Sequence, residues 1–458
     1  MRVIICGAGQ VGYNIASYLA REENDVTVVD NNPALISKVN DDLDVNGMVG
    51  HASNPDVLSA AGAKGADMII AVTQMDEVNM IACQIGHSLF GIPKKIARIR
   101  QQAYLQPAWA NLFSRSHMPI DVIISPEVII ANDIYQRLSV PGTTYVKNMV
   151  DGRIRLIGVI CEDDCPMVNT PLSQLTNLFP DLSFKVLGIL RNNKAIIPDD
   201  DDYLQVDDEV FFIVDAEHLQ RTMSAFGHDE SEAHKIVIAG GGNIGFGLAE
   251  LIHEQNKHAQ IKIIEHNQER ARYLSENVHD AIIFNGSSLD RTILDEVGIE
   301  KADTFIAVTN DDESNILGSL LAKQYGCNRV ITLVNNDVYS PLVGPLGVDA
   351  IVSPRSMIVA TIMQHVRRGR IKSLHNLRDG FAEVIEAEVS ESSTIVNSTI
   401  EELNLPHEVI VGAVIRDEAV IIPKNDFTIH AHDTVIVLAS RTQTQNVEKL
   451  FSVQVDIF

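Results

Sequence analysis

Val3-Ile4-Ile5-Cys6-Gly7-Ala8-Gly9-Gln10-Val11-Gly12 decides the fold, because the chain writes it twice. Its second form is Val237-Ile238-Ala239-Gly240-Gly241-Gly242-Asn243-Ile244-Gly245. Each is a strand-length apolar run that enters G-x-G-x-x-G and continues into a helical pattern. The match extends outward. Gly62-Ala63-Lys64-Gly65-Ala66-Asp67 and the apolar run to Thr73 answer Gly298 through Thr309, and Asp121 through Pro126 answers Asp349 through Pro354. Val168-Asn169, Leu172 and Leu175 answer Val396-Asn397, Ile400 and Leu403. The offset drifts between about 236 and about 224, a period that signals a duplicated domain pair and not a solenoid of short repeats.

Each half changes texture once. Apolar runs at 3–6, 26–29, 68–72 and 96–99 alternate with amphipathic stretches such as 11–22 and 76–90, the pattern of parallel βαβ units. Strand pairs near 154–160, 186–190, 194–197 and 210–214 follow, with a hairpin turn expected at Asn192-Asn193. The expected fold is therefore α/β: two tandem Rossmann-like doubly wound parallel sheets, each followed by a small α+β module. The boundaries fall at 1–140, 141–226, a polar linker at 227–234, 235–368 and 369–458.

Composition narrows the function. There are 36 Lys+Arg against 61 Asp+Glu in 458 residues, a net charge of −25 that disfavours nucleic acid, whose phosphates need clustered cations. No apolar run reaches the roughly 18 to 20 residues that span a bilayer, and the first apolar stretch has no signal-peptide cleavage site behind it. Five sparse cysteines fit a reducing cytosol. Cys161 and Cys165 lack the further ligands that zinc needs.

The glycines carry the chemistry. Gly7 permits a tight turn, Gly9 lets a pyrophosphate approach the backbone, and Gly12 lets helix and strand press together. The helix N-terminus then offers free N–H groups to phosphate. Asp30 closes the next strand and can accept from both adenosine ribose hydroxyls; no Arg follows in Asn31-Asn32-Pro33, which favours NAD over NADP. The second copy carries Gly240, Gly242, Gly245 and Glu265 in the same order. The alternative is that these glycines only shape a βα turn. Thr73 and Gln74 sit at the carboxyl edge of the sheet, where open α/β sheets bind ligands, although Thr73 or Asp76 also suits a helix cap. Arg98 and Arg100 end a strand whose second copy, Thr332 to Asn335, has no arginine. The pair is either a phosphate fork or a surface pair bridged to acidic helices.

No catalytic equipment stands out: the two modules share no His or Lys that could transfer a proton to a nicotinamide. The run Asp199 to Asp202 could attract a cation or form a solvated loop. The helices at 126–139 and 354–368 carry more apolar surface than one core-facing stripe requires, which suits packing on a partner subunit or full burial.

Gly7 through Gly12, Asp76-Glu77-Val78-Asn79-Met80-Ile81-Ala82-Cys83-Gln84, Ile96-Ala97-Arg98-Ile99-Arg100 and Ala307 through Ile316 closely resemble the regulator of potassium conductance (RCK) family. The likeness is to its tandem form, found in peripheral subunits of bacterial Trk potassium uptake systems, and it runs from residue 1 to 458. It implies a regulator and not an enzyme: a homotetrameric ring on the cytoplasmic face of the inner membrane, docked on a TrkH or TrkG channel subunit. Its ligands would be NAD(H) and ATP or ADP. Carried over by position, the first nucleotide loop falls on Gly7, Ala8, Gly9, Gln10 and Val11, with Asp30 at the ribose, His51 by the adenosine, and Thr73, Gln74 and Arg98 on the rim. The second falls on Gly240, Gly241, Gly242, Asn243 and Ile244, with Glu265 and Thr309; Ser287 replaces His51 there. An NAD-dependent oxidoreductase and the soluble regulator of another ion transporter are the competing readings.

Overall fold

A computed structural model describes every residue except 23, 180–181, 193, 337, 367–370, 378–380 and 452–458. The first half opens with β1 (Arg2–Cys6), α1 (Gln10–Arg21), β2 (Asp25–Asp30), α2 (Pro33–Asp42), β3 (Asn46–Val49) and α3 (Pro55–Ala60). It continues with β4 (Met68–Ala71), α4 (Asp76–Ser88), β5 (Lys94–Arg98), β6 (Val122–Ile124) and α5 (Pro126–Ser139). The first module is β7 (Thr143–Met149), β8 (Ile154–Ile160), α6 (Leu172–Leu178), β9 (Phe184–Arg191), β10 (Lys194–Ile196), β11 (Glu209–Asp215) and α7 (Leu219–Ala225).

The second half repeats the order. It runs β12 (Lys235–Ala239), α8 (Asn243–Gln255), β13 (Gln260–Glu265), α9 (Gln268–Asn277), β14 (Ala281–Asn285) and α10 (Arg291–Glu296). Then come β15 (Thr304–Ala307), α11 (Asp312–Gln324), β16 (Arg329–Leu333), α12 (Ser340–Val343), β17 (Ala350–Val352) and α13 (Pro354–Val366). The second module is β18 (Ile371–Leu377), β19 (Ala382–Glu388), β20 (Val409–Arg416), β21 (Ala419–Ile421), β22 (Thr434–Ser440) and α14 (Thr444–Leu450).

Both six-stranded sheets are parallel, ordered β3-β2-β1-β4-β5-β6 and β14-β13-β12-β15-β16-β17. The order reverses beside β1 and beside β12, which opens a crevice at the carboxyl ends of those strands. The central strands are buried on both faces, as Ile4, Ile5, Ile69 and Ile70 show, so they read as continuous apolar runs. The modules are antiparallel and share one topology, β7-β8-β11-β9-β10 and β18-β19-β22-β20-β21. The hairpin between β9 and β10 pairs Arg191 with Lys194, and Asn192 takes the left-handed φ of 50° that such a turn needs; Asn193 lies outside the described residues.

By packing, the chain forms two compact units, one of Met1–Ile130 with Ser353–Val366 and the other of residues 131–352 with the chain beyond 366. The first unit borrows α13 from the second half. Ile358, Ile362 and Val366 repeat every four residues and are buried with Ile15 and Leu19 of α1. The excess apolar surface of this helix is therefore covered by the other half of the same chain. In the second unit, Ile134 and Leu138 of α5 are buried, and Arg329 of β16 donates to the carbonyls of Arg137 (2.8 Å) and Thr143 (2.7 Å). The two modules share a core there, with Leu156, Phe211 and Ile213 against Val384, Ala413 and Ile436.

A buried charge cluster braces α5. Burial alone would raise the Asp133 carboxyl, but Arg137, 2.8 Å away, and the Lys147 ammonium hold it below its ordinary value. Nearby, burial and the Lys147 charge push the His375 imidazole down to about 3, and its Nε2 is buried with no hydrogen-bond partner. Two outcomes are expected. Ile362→Ala should cost about 3 kcal/mol in urea denaturation, as buried Ile-to-Ala changes do; a loss below about 1 kcal/mol would mean α13 is not core. Between pH 6.5 and about 3 the unfolded chain binds a proton at residue 375 that the folded chain refuses. Stability should then fall on acidification by up to about 1.4 kcal/mol per pH unit, and His375→Phe should flatten that slope. Parallel pH curves for the two proteins would contradict this.

Candidate functional site

Each glycine loop sits in the crevice beside its first strand. Gly7 takes a φ of 110°, and a Cβ there would come within 3.0 Å of the Thr73 nitrogen, so only glycine fits between β1 and the end of β4. A Cβ on Gly12 would meet the Gly7 carbonyl oxygen at 1.8 Å. Gly9 differs: a Cβ there would meet no protein atom within 4 Å. It borders open space, as the approach of a pyrophosphate requires. Gly240, Gly245 and Gly242 repeat these three environments in turn.

The helices behind the loops are left ready for an anion. Neither α1 nor α8 has a side-chain cap or an acidic residue in its first turn. In contrast, Asn32, Asn54, Asn267, Asp290 and Asp311 cap α2, α3, α9, α10 and α11. The uncapped N–H groups and the helix dipole remain for a ligand.

The acids predicted at the ribose do more than wait for it. Asp30 accepts the Ala8 N–H at 2.7 Å and the Asn32 N–H at 2.8 Å. Glu265 likewise accepts from Gly241 (2.8 Å) and Asn267 (2.7 Å). The Gly50 N–H donates to the Asp30 carbonyl, which brings the exposed His51 to this end of the crevice; His51 Nδ1 lies 2.8 Å from Ser53 Oγ. Gln10, Gln74 and Asn243 are exposed, whereas Val11 leans into the core. Ile244 is half-buried.

Sequence reasoning missed the residue that holds the far edge. Asn79 is fully buried; its Oδ1 accepts from the Thr73 N–H (2.9 Å) and hydroxyl (2.7 Å), and its Nδ2 donates to the carbonyls of Thr73 and Arg98. Asn315 makes the same bonds to Thr309 and to the Leu333 carbonyl. The Thr73 and Thr309 hydroxyls thus spend their protons on these asparagines and can only accept from a ligand. Asp76 takes the N–H groups of Arg100 and Gln101, as Asp312 takes those of Asn335 and Asn336. The signal was present in the paired Asn79 and Asn315, one turn into each helix, where asparagine needs a reason to be.

The arginine pair splits. Arg100 Nε bonds Glu127 of α5 at 2.9 Å, so it is the bridged surface cation of the two alternatives. Arg98 is half-buried with its Nε enclosed and unpartnered; burial and Arg100 hold its guanidinium below the ordinary value, with Glu127 and Asp76 acting the other way. The cation expectation at Asp199 to Asp202 meets a loop in which Asp202 accepts the Asp199 N–H and Asp199 pairs with His407. Among the described residues no group of three His, Cys, Asp or Glu side chains could hold a metal, Cys161 and Cys165 included.

Two doubly wound sheets, two glycine cradles and two antiparallel modules in tandem define a protein of the RCK architecture. The TrkA-N domain family matches residues 3–126 and 236–354, and the TrkA-C domain family 156–227 and 384–452. The chain belongs to the TrkA family of Trk potassium uptake systems. The Trk system potassium uptake protein TrkA of Azorhizobium caulinodans is 48% identical over 100% of both chains, and that of Halomonas elongata 41% over 100% of both. In fold the chain is also similar to the GsuK RCK domain (TM-score 0.61, 17% identity, 98% of this chain and 94% of that one). It is similar, too, to the GsuK channel bound to NAD (0.62, 16%, 98% and 78%).

The latch is testable. Asn79→Leu strips the Thr73 N–H, the Thr73 carbonyl and the Arg98 carbonyl of partners at a buried site. Unfolding free energy should fall by about 3 kcal/mol, measured by denaturant titration. A change under about 1 kcal/mol would show the latch to be replaceable by water.

Proposed function

We propose that the chain is a non-enzymatic regulatory subunit that binds NAD(H), and ATP or ADP in competition with it, in its glycine cradles and so controls potassium uptake through a membrane channel subunit of the TrkH or TrkG type. The observation that carries this is the open space over Gly9 and Gly242, each in front of an uncapped helix. The residues proposed to hold the dinucleotide are Gly7 to Gly12 with Asp30, His51, Thr73, Gln74 and Arg98, and in the second cradle Gly240 to Gly245 with Glu265 and Thr309. A dinucleotide supplies no bond-making chemistry in this reading. It weights one conformation over another in proportion to its differential affinity.

The subunit would sit peripherally on the cytoplasmic face; no helix among the described residues is long and apolar enough to cross a membrane. Ring assembly, as a homotetramer, has support in apolar side chains left outside at matched positions. Ile81 on α4 and Leu317 on α11 are 41% and 51% exposed, an arrangement that a neighbouring subunit would cover. The oxidoreductase reading has less support, because the two modules share no His or Lys that could transfer a proton to a nicotinamide.

Two glycine substitutions separate ligand space from fold. Gly9 has a φ of −62° that any residue adopts, so Gly9→Val should leave the melting temperature within about 2 °C and weaken NADH binding at least tenfold by calorimetry. Gly12→Ala, driven into the Gly7 carbonyl, should instead lower stability by several kcal/mol. Full NADH affinity in Gly9→Val would overturn the cradle assignment, and sustained NADH oxidation by purified protein would overturn the regulator.

A further inference from the structure

The two cradles share a backbone and differ in one charge. In the second, Arg270 in the first turn of α9 donates through Nε to the Gly241 carbonyl at 2.7 Å. Its guanidinium carbon lies 4.8 Å from the centre of the Tyr273 ring and 5.9 Å from that of Phe246. Among the described residues its terminal amino groups have no hydrogen-bond or ion-pair partner. Gly241 is thus gripped on both sides, its N–H by Glu265 and its carbonyl by Arg270. The guanidinium therefore sits where the glycine loop meets the ribose-binding acid, with unused donors.

Among the described residues the first cradle has no equivalent cation bonded to its loop. Counting from the capping residues Asn32 and Asn267, the place of Arg270 is taken by Leu35, which packs into the core. Lys38, a turn further on, lies over the Tyr13 ring at 5.2 Å and makes no bond to the loop. Asp30 accordingly meets a ribose substituent with an uncompensated negative charge, whereas Glu265 has a guanidinium beside the same loop residue. A guanidinium laid on an aromatic ring is pre-organised, and its planar fork suits phosphate oxygens. An arginine just after the second strand is also the general means by which this fold accepts a phosphate on the adenosine ribose.

We propose that Arg270 makes the second cradle a site for adenosine nucleotides that carry a phosphate on the ribose, such as NADP(H), while the first cradle keeps to the unphosphorylated ribose. The proposal rests on the nucleotide-binding reading of both cradles. It assigns the two halves different ligands by one residue, and the arginine of the first rim, Arg98, has no part in it.

The test is calorimetric titration of the full chain with NADPH, NADH and 2′,5′-ADP. NADPH should bind once per chain, with 2′,5′-ADP competing. Gly242→Val should abolish that binding and Gly9→Val should leave it within twofold. Arg270→Leu should weaken NADPH at least tenfold and NADH at the first cradle less than twofold. Where Arg270→Leu loosens the loop, seen as a lower melting temperature, Arg270→Lys is read instead; it keeps the charge, loses the fork and should cost at least fivefold. NADH binding without NADPH binding would overturn the inference and spare the regulator. So would NADPH affinity that is indifferent to Arg270 or that is lost in Gly9→Val. Failure of both nucleotides to bind would remove the functional reading itself.

Discussion

A single hydrogen bond organises each half: the loop N–H that reaches across to the acid at the end of the second strand, Ala8 to Asp30 and Gly241 to Glu265. It is a charge-assisted bond between a backbone donor and a carboxylate, among the stronger kinds available. It fixes the loop before any ligand arrives, and the same carboxylate also takes the N–H of Asn32 or Asn267, which starts the next helix. Strand, loop and two helices are thus set by one side chain. The opposite wall is set by Asn79 and Asn315, which tie the β4 and β5 ends, and the β15 and β16 ends, at fixed spacing. A crevice with both walls hydrogen-bonded loses little freedom on binding, so more of the binding energy is retained.

The net charge of −25 sets a constraint that this construction answers locally. An acidic protein repels an anionic ligand at long range, but salt screens that repulsion beyond about 8 to 10 Å. Close in, the field is set by what faces the crevice. Both loop helices exclude acids from their first turns, and Asp76 and Asp312, which lie at the rim, are each consumed by backbone N–H groups.

Much of this was legible in the sequence, for reasons that particular residues make plain. The duplication, the buried strands and the glycine loops could be read because each imposes a local pattern: Ile4, Ile5, Ile69 and Ile70 form unbroken apolar runs, and the glycine spacing answers steric demands within a few residues. The edge strand β3, Asn46–Val49, could not be read, since none of its residues is fully buried and only Met48 and Val49 are large and apolar. The exchange of α13 was hidden for a different reason. Ile358, Ile362 and Val366 declare that the helix is buried, and no periodicity says under which sheet. Asn79 was passed over as part of a helix start, because its four partners come from two strand ends that only the folded sheet brings together. Arg270 was not legible as a loop residue, because only the fold carries its Nε from α9 to the Gly241 carbonyl.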